Sequence, residues 1–325
     1  MKKNNFDSDF FKKLKIVEDI LILHSSFEQA VLRIQKNIEF SIHGAEPRHT
    51  LLVGESGTGK TWVAQYLASV YRQHGDTALQ ASSVLLVDTP PIPTLKGLAE
   101  AILLKLGDPL AQRGTAAEKR ERAISLLKPC NIKLIVLDEF QHFLDHGMYS
   151  SVAAVADWLK RFIDDAKIPC LLMGLPRCEE ILNTNEQLRR RFSSRLELPA
   201  FSIDTDEGEL EFRAVLNEID KSLPTGRLSN LAETECARRL HFACNGLLGY
   251  LRKLITAAFE LMVASNAVAI DWGLLEKAFT EAIWRDGRHA LNPFNSAFQI
   301  RRLDRIGEPF CAAALPTRAT KRRTS

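Results

Sequence analysis

Residues 54–61 read Gly54-Glu55-Ser56-Gly57-Thr58-Gly59-Lys60-Thr61, a complete G-x-x-x-x-G-K-[ST] phosphate-binding loop. The apolar run His49-Thr50-Leu51-Leu52-Val53 precedes it, and the helical pattern Trp62-Val63-Ala64-Gln65-Tyr66-Leu67-Ala68 follows it. A strand that delivers its loop straight into a helix leaves few architectures open. Glycines let successive backbone N–H groups converge on phosphate oxygens, and the helix N-terminus adds a favourable dipole. Lys60 then reaches the β- and γ-phosphates, and the Thr61 hydroxyl ligates Mg²⁺. The expected ligands are ATP and Mg²⁺, with residues 54–61 as the binding segment.

The pattern along the chain extends this expectation. Ser82 to Val87 reads as a second strand, Leu95 to Leu106 and Ala116 to Leu127 as helices, and Lys133 to Leu137 as an apolar strand of the kind buried on both faces of a parallel sheet. Ser151 to Ala166 is helical, Pro169 to Met173 is a short buried strand, and Leu196 to Leu198 is the last strand. Beyond Phe201 the pattern predicts helices alone: Asp206–Lys221, Ser229–Ala243, Leu247–Ala264 and Asp271–Trp284. The expected fold class is α/β, a P-loop parallel sheet flanked by helices and followed by a small all-α lid. The expected division is a helical lead-in over 1–48, the nucleotide-binding domain over 49–201, the lid over 202–286, and a basic, partly disordered tail over 287–325.

The strand ending Leu134-Ile135-Val136-Leu137-Asp138-Glu139 supplies the second half of a hydrolytic site, 78 residues after Lys60. Asp138 is expected to hold Mg²⁺ alongside Thr61, and Glu139 to orient and polarise the attacking water. Two adjacent acids on an apolar strand are costly if buried unpaired, which argues for a cation beside them. Leu188-Arg189-Arg190-Arg191-Phe192-Ser193-Ser194-Arg195 then gathers four arginines before the last strand. Such self-repelling charge calls for anions: a neighbouring subunit's γ-phosphate, with Arg191 and Arg195 as candidate fingers, or DNA phosphates. Gly249-Tyr250-Leu251-Arg252 matches a G-x-x-R pattern opening a lid helix, where Arg252 is a candidate for the γ-phosphate.

Composition excludes several classes. No run approaches the roughly eighteen apolar residues of a membrane span, and the charged N-terminus has no apolar signal core behind it, so no membrane contact and a cytoplasmic location are expected. The six cysteines form no C-x-x-C pair and read as reduced thiols. Net charge is only +3, but the segment from Gly287 onward carries eight basic against two acidic residues. That suits phosphate backbones or an acidic partner.

Together these residues resemble an AAA+ ATPase, and within that class the TniB/TnsC transposition regulators. The likeness spans residues 25–285. Its general elements are Gly54–Thr61, Leu134–Glu139, the arginines through Arg195, and Gly249–Arg252. Its narrower elements are Asp138-Glu139-Phe140-Gln141-His142, Gly174-Leu175-Pro176 and Asn185-Glu186-Gln187-Leu188-Arg189-Arg190-Arg191-Phe192. The resemblance implies ATP-bound subunits that self-associate as a ring or helical filament on duplex DNA without sequence preference. It implies active sites closed by a neighbour's arginine, partners that include a DDE transposase and a TniQ-like targeting protein, and hydrolysis that dismantles the assembly. One departure stands out: many AAA+ proteins carry a polar sensor at the end of the fourth strand, where this chain has Gly174-Leu175-Pro176, so no sensor side chain is assigned. No motif gives the DNA contacts, so Lys96, Arg113, Lys119, Arg120 and Arg122 are taken from the charged stretch between the second and third strands. Two other readings stay open: a helicase loader or replication-initiator-like AAA+ protein, and a signalling or secretion NTPase without nucleic acid.

Overall fold

A computed structural model describes residues 8–72, 82–145 and 149–311. The chain forms two compact units, one of residues 23–200 and one joining residues 1–22 to 201–325.

The first unit is built on a sheet of five parallel strands, β1 (Thr50–Val53), β2 (Val84–Asp88), β3 (Leu134–Asp138), β4 (Cys170–Gly174) and β5 (Ser194–Glu197), in the order β2-β3-β4-β1-β5. The apolar strands pack on both faces by simple alternation. Ile135 and Leu137 of β3 enter one core with Leu51, Val53, Leu85, Val87 and Leu172. Leu134 and Val136 enter the other with Leu52, Val84, Leu171 and Met173. Helices α4 (Leu95–Lys105), α5 (Ala116–Leu127) and α7 (Tyr149–Ala166) cover the first face, through Leu98, Ile102, Leu103, Ala123, Leu159 and Phe162. Helices α2 (Ser25–Ile42) and α3 (Lys60–Val70) cover the second, through Phe27, Ala30, Ile34, Ile38, Val63 and Leu67. Short helices α6 (His142–Asp145), α8 (Glu179–Asn183) and α9 (Glu186–Arg191) complete this unit. A βαβ-wound parallel sheet of this kind collects loops at the carboxyl ends of its strands, and ligands bind there.

The second unit is helical: α1 (Ser8–Glu18), α10 (Asp206–Ser222), α11 (Thr234–Cys244), α12 (Leu248–Ala264) and α13 (Trp272–Ala278). Phe10 and Val17 of α1 are buried in the core these helices share. The lead-in expected over 1–48 is therefore divided: the apolar stripe of α1 belongs to the helical unit and that of α2 to the sheet. The tail expected from 287 also begins later than charge alone indicates, because Phe294, Phe298 and Leu303 are buried in the same helical core. Arg301 is paired with Glu308, and Arg302 lies 3.4 Å from Asp204. The terminal basic residues Arg318, Lys321, Arg322 and Arg323 lie outside the described residues.

Two helix limits shift for local reasons. The helix expected from Ser229 begins at Thr234, because the Asp220 carboxylate accepts the Ser229 N–H (2.9 Å) and the Leu231 N–H (3.2 Å) and holds them in a turn. The helix expected to run to Trp284 is α-helical to Ala278 and widens into a π turn over Phe279–Ile283, where Trp284 N–H reaches the Phe279 carbonyl at 3.0 Å.

Candidate functional site

The phosphate loop leaves the carboxyl end of β1 and enters α3 at Lys60. Its conformation requires glycine at defined positions. Gly57 and Gly59 have φ of 84° and 101°, in the left-handed region that side chains rarely adopt. Gly54 is pinned below the loop, with its N–H on the Gly174 carbonyl at 3.2 Å. A Cβ there would stand 2.5 Å from the Leu198 carbonyl oxygen and 2.7 Å from Thr58 Oγ1. Thr58 Oγ1 closes the loop from inside by donating to the Glu55 carbonyl at 2.9 Å, while Glu55, Ser56 and Gly57 form its exposed crest.

Lys60 is 7% exposed and folds back across the loop, its Nζ donating to the carbonyls of Gly54 (2.8 Å) and Glu55 (2.9 Å). Burial lowers its pKa, and the carboxylates of Glu139 and Asp138 act in the opposite sense. An ammonium held this way by neutral carbonyls is a cation that a phosphate can claim.

The structure brings the second half of the site to the first. Asp138, at the carboxyl end of β3, accepts the Thr61 hydroxyl on Oδ2 at 2.9 Å and the Glu139 N–H on Oδ1 at 2.8 Å. It is 2% exposed; burial raises its pKa, and those two hydrogen bonds pull the other way. The pair Thr61–Asp138 offers two hard oxygen donors side by side. Among the described residues no group of three His, Cys, Asp or Glu side chains stands ready to hold a metal ion. The oxygen pair fits Mg²⁺, which binds through one or two protein oxygens and completes its shell with water and phosphate. Glu139 follows in the left-handed region (φ 53°) with its carboxylate exposed, while Asp138 turns inward. The two acids thus differ in exposure: only one of them is buried.

Sequence reasoning missed the residue that touches Glu139. Gln141 Nε2 donates to the Glu139 carboxylate, and its Oε1 accepts the Leu175 N–H at 3.2 Å. Gln141 stood inside a quoted motif, but a glutamine two residues past an acid carries no sequence signal of its own. His49 was also missed. It is 2% exposed, its Nδ1 accepts the Cys170 N–H at 3.1 Å between β1 and β4, and burial, aided by the charge of Arg191, pushes its pKa down to about 4.

Arg190 and Arg191 of α9 and Arg195, which lies inside β5, hold carboxylates within their own unit. Arg191 Nη1 lies 2.9 Å from Asp164 and 4.0 Å from Glu46, Arg195 Nη1 lies 3.2 Å from Glu179, and Arg190 Nη2 lies 2.5 Å from Glu186. Arg190 and Arg191 line a cleft of about 490 Å³ with Arg48 and Glu46. Arg252 in α12 donates to the carbonyls of Glu18 and, at 2.7 Å, Ile20, beyond the end of α1, a favourable seat for a cation at a helix C-terminus.

The DNA contacts expected between β2 and β3 need correction. Lys119 is wholly buried, its Nζ bound to Glu100 and to the Ala111 carbonyl, each at 2.6 Å. Arg122 is spent on Asp108 (2.6 Å) and on the carbonyls of Leu110 and Arg113. Arg120 is largely covered and lies 3.8 Å from Asp165. Lys119 and Arg122 fasten the connection between α4 and α5, and Arg120 faces α7. Only Lys96 and Arg113 of the five are exposed.

A five-stranded parallel sheet with this loop after β1 and this acid pair at β3, joined to a helical unit, defines the P-loop AAA+ ATPase fold. Residues 12–203 match the family described as "Bacterial TniB protein". That is more than half of the chain, and the chain belongs to the TniB family. An ORC1-type DNA replication protein of Desulfurococcus amylolyticus is 24% identical over 148 residues, covering 44% of this chain and 38% of its own, so the match spans well under half that relative's length. Among solved structures, the ORC2 protein of Aeropyrum pernix in ADPNP–ADP complexes aligns with a TM-score of 0.60 at 17% identity, over 82% of this chain and 71% of that one. The ORC1 protein of A. pernix in complex with DNA aligns with a TM-score of 0.59 at 17% identity, over 85% and 68%. Cdc6p from Pyrobaculum aerophilum gives 0.60 at 13% identity, over 82% and 70%. At these identities the likeness concerns the fold. Among the described residues no helix is long and apolar enough to cross a membrane.

Proposed function

We propose that this protein is an ATP-hydrolysing regulator of DNA transposition that self-associates on target duplex DNA and recruits or activates a transposase. The observation that carries the chemistry is the meeting of Thr61 with Asp138 beneath an exposed Glu139. Loop amides and Lys60 bind the phosphates. Thr61 and Asp138 hold Mg²⁺, which neutralises charge on the phosphates when bound. Glu139 accepts a proton from the attacking water. Membership of the TniB family supports the transposition role. In this reading Arg191 or Arg195 exchanges its carboxylate for a neighbour's γ-phosphate, and Arg252 exchanges the carbonyls near the end of α1 for nucleotide. Lys96 and Arg113 are the DNA contacts, held to the backbone rather than to bases.

Removing the base while keeping the charge-binding groups isolates the assembly step. Glu139→Gln is expected to retain ATP affinity, to lose turnover by about a hundredfold or more, and to remain on duplex DNA in sedimentation with ATP. Normal turnover by this variant would remove Glu139 from the mechanism.

An initiator-like role is the second reading, favoured by the likeness to ORC and Cdc6 structures. Stoichiometric binding to a replicative helicase, with no effect on a transposase, would select it.

A further inference from the structure

One buried amide connects the exposed Glu139 carboxylate to the turn that follows β4. Gln141 is 4% exposed, and its Oε1 accepts the Leu175 N–H at 3.2 Å and the Cys178 thiol at 3.8 Å. A backbone N–H can only donate, so the end of the amide facing it must be the oxygen. The NH₂ end is thereby aimed at Glu139 Oε2, to which it donates. Among the described residues this is the one hydrogen bond that reaches the Glu139 side chain.

The amide has its place because residue 174 has no side chain. A Cβ on Gly174 would stand 2.5 Å from Gln141 Oε1 and 2.4 Å from Cys178 Sγ. Two further ties fasten the same loop to the same strand end. Phe140 N–H donates to the Met173 carbonyl at 3.0 Å, and Arg177 grips Asp145 at 2.9 and 2.8 Å. The left-handed turn at Glu139 costs about 1–2 kcal/mol for a residue with a Cβ, so the loop keeps it only because its surroundings over-determine it.

We propose that Gln141 is the positioning residue for Glu139. It holds the carboxylate in one orientation at the phosphate edge and supplies, from the β3 loop, the polar group that Gly174 does not supply from β4. A glycine at the end of β4 and a buried glutamine two residues after the acid are then one device. This rests on the reading of Glu139 as the base that takes the proton of the attacking water. Positioning acts on turnover and not on the loop that binds the phosphates, so the expected signature is a change in kcat at constant ATP affinity.

Steady-state hydrolysis and ATP binding are measured for Gln141→Ala, Gly174→Ala, the double variant and Glu139→Gln. Gln141→Ala is expected to lower kcat by about tenfold or more, with ATP Kd held within about twofold. Gly174→Ala is expected to lower kcat by displacing the same amide. The double variant is expected to lose no more kcat than Gln141→Ala, because the amide is already gone and the other close neighbour of the new methyl, Cys178 Sγ at 2.4 Å, makes no bond to Glu139. Wild-type kcat for Gln141→Ala, beside an inactive Glu139→Gln, overturns the positioning role and leaves the base in place. Normal turnover by Glu139→Gln overturns the base and the inference with it. Should Gln141→Ala fail to fold, a folded Gly174→Ala with full kcat overturns the inference alone.

Discussion

The nucleotide edge of the sheet and the α4–α5 hairpin both carry buried lysines, and the two lysines are treated in opposite ways. Lys119 of α5 sits against a carboxylate, Glu100 at 2.6 Å, and is finished. Among the described residues, Lys60 of α3 has only the carbonyls of Gly54 and Glu55 as hydrogen-bond partners, and burial weakens its hold on its proton. A paired buried charge serves the fold, whereas one left with neutral partners is set for a ligand. The same contrast runs through the arginines: Arg122 is locked on Asp108 and two carbonyls, while Arg195 holds a single carboxylate at 3.2 Å from half-exposed ground.

The largest effect that would break this contrast lies at Arg195. As a finger acting in trans, Arg195→Ala is expected to lower hydrolysis by about a thousandfold without changing ATP affinity, and to regain activity when mixed with a Lys60→Ala subunit. Activity that mixing leaves unrestored would return Arg195 to its pair with Glu179. On the other side of the comparison, Lys119→Ala strands Glu100 and is expected to cost about 3–5 kcal/mol in chemical denaturation, with DNA affinity of the folded fraction unchanged. A loss of DNA affinity without a loss of stability would reverse that assignment.

A buried group that stays neutral sharpens the same point. His49 has a folded pKa of about 4 against an ordinary value near 6.5. Above pH 6.5 both folded and unfolded forms leave it neutral. As pH falls from 6.5 to 4, the unfolded chain takes the proton that the folded chain refuses, and stability drops by up to about 3 kcal/mol. Urea midpoints at pH 7 and pH 5 read this, and His49→Gln is expected to flatten the difference. The smallest effect belongs to the exposed pair. Lys96→Ala with Arg113→Ala is expected to reduce the salt slope of DNA binding by about two, and an unchanged slope would move the DNA contact elsewhere.

The sheet was legible in the sequence because β1 to β4 are continuous apolar runs, whereas β5, Ser194-Arg195-Leu196-Glu197, is not. The phosphate loop and the β3 acids were legible because phosphate and Mg²⁺ chemistry admits few residue types at those spacings. Charge alone misled: Lys119 and Arg122 look like solvent-facing cations in one dimension, and their partners Glu100 and Asp108 lie 19 and 14 residues away. Gln141 was hidden for a related reason, since its meaning depends on the space above Gly174, 33 positions later. The division of the lead-in between two units was equally hidden, because α1 and α2 carry similar apolar stripes with different destinations.

The most direct test of the central claim is ATP hydrolysis measured against protein concentration, with and without plain duplex DNA. Active sites completed by neighbouring subunits on DNA predict stimulation by the duplex that steepens as protein concentration rises. A rate per subunit that ignores both DNA and concentration would contradict the account.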